Sequence, residues 1–162
     1  MVRQAVQDDA KQIAVIHVRG WQTAYADHIP DDYLSNLRVE DREKDWRSWL
    51  TRDHYHVLVS KEAGKVVGYL SYSLRNDPAE LTGLYVDPDR KYQGIGSKLM
   101  RQFEAETENQ ERRLWVLSGN DPAIAFYKKF GYIETGETKD SKFGGVSVTE
   151  IRMEKLSDHN PP

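Results

Sequence analysis

The stretch that most restricts what this chain can fold into is LYVDPDRKYQGIGSKLM, Leu84 to Met100. An apolar run of strand character passes through a proline turn, meets two glycines, Gly94 and Gly96, and continues as a helical pattern. Ile95, Leu99 and Phe103 recur every four residues, which predicts a helix to about Asn109. Such a corner leaves the first amides of the helix unbonded and places the positive end of its dipole there. Glycine lets an anion come close to that backbone, and Lys91 and Lys98 flank it. The corner is therefore either a plain tight turn or a cradle for a diphosphate.

Two common phosphate motifs do not fit. A dinucleotide fingerprint needs G-x-G-x-x-G directly after a strand, whereas Leu99 stands at the third glycine position and several residues separate the strand from Gly94. A P-loop needs G-x-x-x-x-G-K followed by Ser or Thr, and the chain has no such run.

The remaining pattern predicts the frame around the corner. VRQAV near the start reads as an edge strand. A helix follows, with Asp8 or Asp9 as cap and Gly20 as its end or bend. A short helix after Pro30 and a longer one over residues 40–50 come next; in the latter Trp46, Trp49 and Leu50 share a face, with Glu40–Lys44 and Glu43–Arg47 spaced as favourable pairs. Residues 54–74 read as a hairpin turning at Ala63-Gly64. Residues 79–87 read as a third strand, with Gly83 marking a bulge or a close backbone approach. RRLWVLS is another strand. A helix begins at Asn120 or Asp121 with Pro122 in its first turn and stops at Gly131, and two strands, 131–137 and 145–155, close the chain. The expectation is an α/β (α+β) chain with one domain, residues 1–156: a mixed, largely antiparallel sheet of six to seven strands flanked by helices, then an unstructured tail over 157–162.

Composition excludes several functions. A formal net charge of −3 and a pI near 6.0 speak against a general nucleic-acid binder. The chain has no cysteine, so no disulfide, thiolate zinc site or cysteine nucleophile is available, which fits a cytoplasmic location. No apolar run reaches the length of a membrane span, and the first residues lack a signal-peptide core. His54 and His56 face one side of a strand but lack a third ligand, so no metal is expected.

The corner resembles the acyl-CoA-binding motif of the GNAT superfamily of N-acetyltransferases. That pattern is Q/R-x-x-G-x-G/A, and here it stands as KYQGIG, Lys91 to Gly96, with Lys in place of Gln or Arg. Downstream, NDPAIAFYKKFGY, Asn120 to Tyr132, is similar to the family's second signature, N-x-x-A-x-x-x-Y-x-x-x-G-F/Y, at every fixed position. GWQTAY looks like a stretch common in one bacterial branch of the family.

The resemblance implies an acyl-CoA N-acyltransferase fold and acetyl-CoA as co-substrate, with no metal. It implies that the strand of Ala79 to Asp87 and the strand near Leu114 splay apart, with the pantetheine arm between them. Amides around Leu84, Tyr85 and Val86 would bond pantetheine and the thioester oxygen. Lys91, Gln93, Gly94, Ile95, Gly96, Ser97 and Lys98 would surround the diphosphate, with Asn120, Ala123 and Tyr127 as further cofactor contacts. Glu80 matches a general base of some family members, because an ammonium must lose a proton before it can attack. Tyr127 matches the family's general acid toward the leaving thiolate. The acceptor wall would hold Trp21 and Tyr25, joined by Tyr33, Tyr72 and Phe143, with Asp27, Asp31 and Asp32 attracting a cation. The expected acceptor is a small-molecule or peptide amine. Nucleic-acid and membrane partners are not expected; dimers are frequent among family members, so a homodimer is possible, and the sequence leaves the oligomeric state open. The alternatives are a CoA-sensing or partner-binding module without turnover, or a transferase of a larger acyl group.

Overall fold

The computed structural model describes residues 1–75 and 77–158. Among them, seven strands form one sheet in the order β1-β2-β3-β4-β5-β7-β6. These are β1 (Val2–Gln4), β2 (Tyr55–Glu62), β3 (Lys65–Ser73), β4 (Ala79–Val86), β5 (Arg112–Leu117), β6 (Ile133–Phe143) and β7 (Val146–Lys155). The helices are α1 (Ala10–Ala24), α2 (Asp31–Ser35), α3 (Val39–Trp49), α4 (Ile95–Glu106) and α5 (Asp121–Lys129). Every neighbouring pair of strands is antiparallel except β4 and β5. This is the expected mixed, largely antiparallel sheet.

The period-two alternation of β2 divides the core. Val57 and Val59 point to one face, where they meet Ile13 and Ala14 of α1 and Trp46 of α3. Leu58 points to the other, with Leu70, and meets Leu99, Met100 and Phe103 of α4. The β2–β3 hairpin turns at Ala63 (φ +50) and Gly64 (φ +76), the paired positive angles that match strand twist.

One irregularity in β4 sets up the site. Tyr72 pairs with Leu81 but Ser71 pairs with Gly83, so Thr82 is an extra residue with no partner on β3. The insertion shifts the parity of the strand. Leu81, Leu84 and Val86 all pack with the α4 core, whereas Tyr85 joins the α1 and α3 side.

Several boundaries differ from the sequence expectation, each for a local reason. Gly20 neither ends nor bends α1, which runs on to Ala24. It is glycine because Tyr85 lies on it: a Cβ there would stand 2.7 Å from Tyr85 Cδ1. Asp9 does not cap α1 with its side chain, because its carboxylate bonds the Val6 amide and Arg3 instead. Helix α4 stops at Glu106, since the buried Thr107 hydroxyl donates to Phe103 O and accepts from Arg112 Nε. Of the two pairs expected on α3, Glu43–Arg47 forms at 2.9 Å, while Glu40 lies near Arg38. Strand β6 continues past residue 137 to Phe143, pairing with β7 through a polar stretch whose composition does not alternate. Asp158, inside the tail expected from 157, pairs with the buried guanidinium of Arg112 at 3.2 Å; residues 159–162 lie outside the described residues.

Gly20→Ala is expected to lower the unfolding free energy by about 1–3 kcal/mol, the usual cost of overpacking. The Tyr85 ring cannot swing away freely, since its hydroxyl is 2.7 Å from that of Tyr25. Urea unfolding checks this; an unchanged midpoint would show that the ring gives way at no cost.

Candidate active site

The corner holds its amides open. Gly94 caps α4 in the left-handed conformation (φ +79), a geometry that L side chains rarely adopt. The first bond into the helix runs from Lys98 N to Gly94 O at 3.1 Å, so the amides of Ile95, Gly96 and Ser97 have no intrahelical acceptor. Arg19 of α1 braces the preceding turn through Asp87 at 3.0 Å and Asp89 at 3.1 Å.

Beside the corner the sheet opens. β4 and β5 pair at three positions only, ending with Leu81 and Leu114. Beyond that point lies a cavity of about 680 Å³, walled by Leu84 and Val86 on one side and Trp115 and Leu117 on the other. Backbone alternation fixes which amides face it. Asp87 N bonds Val67 O, which makes Tyr85–Tyr69 and Gly83–Ser71 the hydrogen-bonded pairs with β3. The amides of Leu84 and Val86 therefore point toward β5 and into the gap, while that of Tyr85 is used by β3.

The cavity is electrically polar. Its lining cations, Arg90, Lys91 and Lys129, belong to the corner end, where Phe126 of α5 lies against Gly96. Its one lining carboxylate among the described residues is Glu150, whose cross-strand partner on β5 is Leu117. Around that end stand Trp21, Tyr25, Trp115 and Phe143. Trp21 meets Tyr25 and Phe143 edge-on, with centroids 4.9 and 5.3 Å apart.

Tyr127 lies on α5 at the wall of the cavity, and among the described residues its hydroxyl has no hydrogen-bond partner. Burial, with a smaller push from Tyr25, raises its pKa above the ordinary phenol value. The phenol thus stays protonated and serves as a donor. Burial also raises Tyr25 and Tyr85, whose hydroxyls bond one another.

The structure brings together Leu84, Tyr85, Val86, Lys91, Gly94, Ile95, Gly96, Ser97, Asn120, Ala123, Tyr127, Trp21 and Tyr25 around one cavity. Gln93 and Lys98 do not line it; the Lys98 amide is already spent within α4. Tyr72 belongs to the opposite face, packed on Phe103 and bonded to Glu106, and is no part of an acceptor wall. Tyr33 does not line the cavity but packs on Phe143, which does, and Asp27, Asp31 and Asp32 do not line it. Glu80, expected as the base, is also outside the lining. Its Oε1 accepts from Arg113 Nε at 3.1 Å and from Arg152 Nη1 at 3.2 Å. Glu150 on β7 and Trp115 on β5 were missed by sequence reading, because a charged or aromatic residue in a strand carries no sign of which face it occupies. Among the described residues no group of three metal-binding side chains comes together, and no helix is long and apolar enough to cross a membrane.

A sheet parted along half of one strand pair, with free helix amides at the mouth of the gap, defines a class of proteins that hold an extended thioester cofactor between two strands. The sequence pattern of the Acetyltransferase (GNAT) family matches residues 21–132, and the chain belongs to that family. It is 31% identical over 161 residues to the uncharacterized N-acetyltransferase YuaI of Bacillus subtilis, covering 94% of this chain and 90% of that one. It is 30% identical over 149 residues to the L-amino acid N-acetyltransferase AaaT of Escherichia coli, covering 86% of each. The PaiA N-acetyltransferase of Thermoplasma acidophilum, solved in complex with coenzyme A, superposes with a TM-score of 0.79 at 21% identity, over 96% of this chain and 98% of that one. The protein is accordingly an enzyme that moves an acetyl group from acetyl-CoA to an amine acceptor in a ternary complex.

Behind the aromatic wall, His17 of α1 accepts from Trp46 Nε1 at Nδ1, 3.1 Å away, and stacks parallel to Tyr85. Burial first, and the nearby Arg42 charge second, bring its pKa down to about 4 from 6.5. The unfolded chain therefore binds a proton below pH 6.5 that the folded chain refuses until about pH 4. Stability is full above that window and falls as pH drops through it, by up to about 3 kcal/mol in total. Urea unfolding across the window checks this. His17→Gln, which keeps an acceptor for Trp46, is expected to flatten the profile, and an unchanged slope would place the effect elsewhere.

Proposed function

We propose that acetyl-CoA binds with its diphosphate on the amides of Ile95, Gly96 and Ser97 and its pantetheine arm along the Leu84 and Val86 amides. The acetyl group then passes to a primary amine by direct attack. The observation that supports this reading is the end of the β4–β5 ladder at Leu81 and Leu114, which frees two backbone donors in a cavity continuous with the helix terminus. Arg90, Lys91 and Lys129 supply positive charge for the phosphates at that end. Asn120 and Ala123, at the start of α5, lie along the cofactor's path.

The chemistry follows from what these groups can donate. The amine lone pair attacks the thioester carbon, and the carbonyl oxygen takes up negative charge. An amide already aimed at that oxygen stabilises the charge without reorganising. Leu84 N–H is the candidate donor. The C–S bond then breaks, and the electron pair leaves on sulfur. Tyr127, protonated and without another partner, donates to that sulfur as charge develops. A thiol is a stronger acid than a buried phenol, so the phenol acts mainly through a tightening hydrogen bond. Trp21 and Tyr25 wall the acceptor side.

Glu80 is better placed as a counter-charge than as the base. Two guanidiniums hold one of its oxygens, and Arg152 in turn stacks on Trp115 at 4.1 Å, which fixes the floor of the acceptor side.

For Tyr127→Phe the expected outcome is a fall in kcat of about 10²-fold, the lower range for a positioned proton donor. Affinity for CoA by calorimetry should stay within about twofold, because the phenol meets sulfur only as charge builds. An unchanged kcat with chemistry limiting would remove Tyr127 from the mechanism. Absence of CoA binding by the wild-type chain would remove the whole donor site.

A further inference from the structure

We propose that Glu150 is the acceptor-side carboxylate: it draws the acceptor's ammonium into the cavity and takes its proton, directly or through one water. The acceptor is in consequence an amine with no carboxylate on the carbon that bears it. This deepens the donor-site reading above and rests on it.

Three observations carry the inference. First, Glu150 is the one carboxylate among the described residues that lines the cavity, and it belongs to the end away from the cations of the corner. A cofactor bearing several phosphates is complemented at one end only. The other end presents a negative group to whatever enters. Second, that group is held for use. Ser141 Oγ donates to Glu150 Oε1 at 2.6 Å, which fixes the carboxylate, and Oε2 has no partner among the described residues. Glu80, by contrast, is committed to two guanidiniums. Third, the surrounding walls are ring faces and edges, Trp21, Tyr25, Trp115 and Phe143, which accommodate a cation and an alkyl chain.

The charged and titratable neighbours of Glu150 are few. Tyr25 faces it from α1 and feels its charge. Lys139, its cross-strand partner on β6, reaches over Trp115 at 4.7 Å and makes no ion pair among the described residues. Arg152, two residues along β7, is occupied by Glu80 and Glu137. Neither Lys139 nor Arg152 lines the cavity, so among the described residues the lining at this end offers an amino acid's carboxylate Glu150 and no cation. Repulsion between two carboxylates in a partly dry cavity rejects such acceptors.

The proton step balances. An N–H bond of the ammonium breaks, its electron pair remains on nitrogen as the attacking lone pair, and the proton passes to Glu150 Oε2. That proton leaves to water. Attack makes a second N–H proton acidic; as the C–S bond breaks, that N–H bond breaks too, its electron pair stays on the amide nitrogen, and the proton passes through water to the departing sulfur, leaving a neutral amide and the CoA thiol.

The test uses matched probes, pentylamine and norleucine, which differ by the carboxylate. Free thiol is followed with acetyl-CoA. Wild-type kcat/KM is expected to favour pentylamine by about tenfold or more, as expected when a half-buried charge faces its like. Glu150→Gln should lower kcat/KM for pentylamine about 10²-fold near neutral pH. Its remaining rate should climb about tenfold per pH unit toward the amine's pKa, as free amine replaces ammonium, while the wild-type profile is shallower. Glu150→Asp should recover part of the rate. Preference for norleucine, or a Glu150→Gln enzyme with wild-type rate and profile, overturns the proposal. If neither probe turns over, tryptophan fluorescence of the CoA-loaded chain decides: saturable quenching by pentylamine that Glu150→Gln abolishes supports it, and no response in the wild type overturns it. Failure of the wild-type chain to bind CoA in calorimetry would instead overturn the donor site, and this reading with it.

Discussion

Everything in this molecule turns on where one ladder of hydrogen bonds stops. Parallel strands normally pair along their length, because an unpaired buried amide costs about as much as a lost hydrogen bond. Here β4 and β5 pair at three positions and then separate. The extra residue Thr82 makes this possible, because the bulge re-aims β4 while β3 keeps its grip on the far side through Tyr85 and Gly83. The amides of Leu84 and Val86 are left facing a cavity, where a ligand backbone of amide character can complete the sheet. Helix α4, capped by a left-handed Gly94, adds free donors at the mouth of the same opening. In the proposed reading, cofactor recognition is thus mainly a property of main chain, and side chains set charge and chemistry around it.

The two ends of the cavity show a division of labour. Positive side chains collect where the helix dipole is positive, a combination suited to phosphates. The opposite end replaces them with rings and one carboxylate. Between the two lie the amides of β4 and the hydroxyl of Tyr127. Positional rigidity comes from the ion pairs outside the cavity. Arg19 ties α1 to the turn after β4, and Glu80 with Arg113 and Arg152 ties β4 to β5 and β7. The aromatic contacts of His17, Trp46 and Tyr85 support the wall from behind.

The donor half was largely legible in the sequence, because its logic is local. A proline turn, two glycines and a four-residue apolar period specify a strand, a corner and a helix terminus without knowledge of the rest. The alternation in β2 likewise is local, since period two alone sends Val57 and Val59 to one face and Leu58 to the other. The acceptor half was not legible, because it is assembled from four elements, α1, β5, β6 and β7. Nothing in SVTEIRMEK distinguishes Glu150 from Glu154, and only the pairing of β7 with β5 turns the former toward Trp115 and Leu117. Tyr72 failed as an acceptor residue because it alternates with Leu70 along β3 onto the face covered by α4, and an aromatic residue alone does not say which face of the sheet holds the cavity. Gly20 looked like a helix stop, yet it answers to a ring on β4 sixty-five positions away in the chain.

The most direct measurement of the central claim is amide hydrogen exchange at single residues of β4, with and without CoA. The account requires the Leu84 and Val86 amides to exchange rapidly in the free protein and to become protected when CoA is added. The Tyr85 amide, bonded to β3, should be protected in both states. Slow exchange at Leu84 and Val86 in the free protein, or no gain in protection with CoA bound, would contradict it.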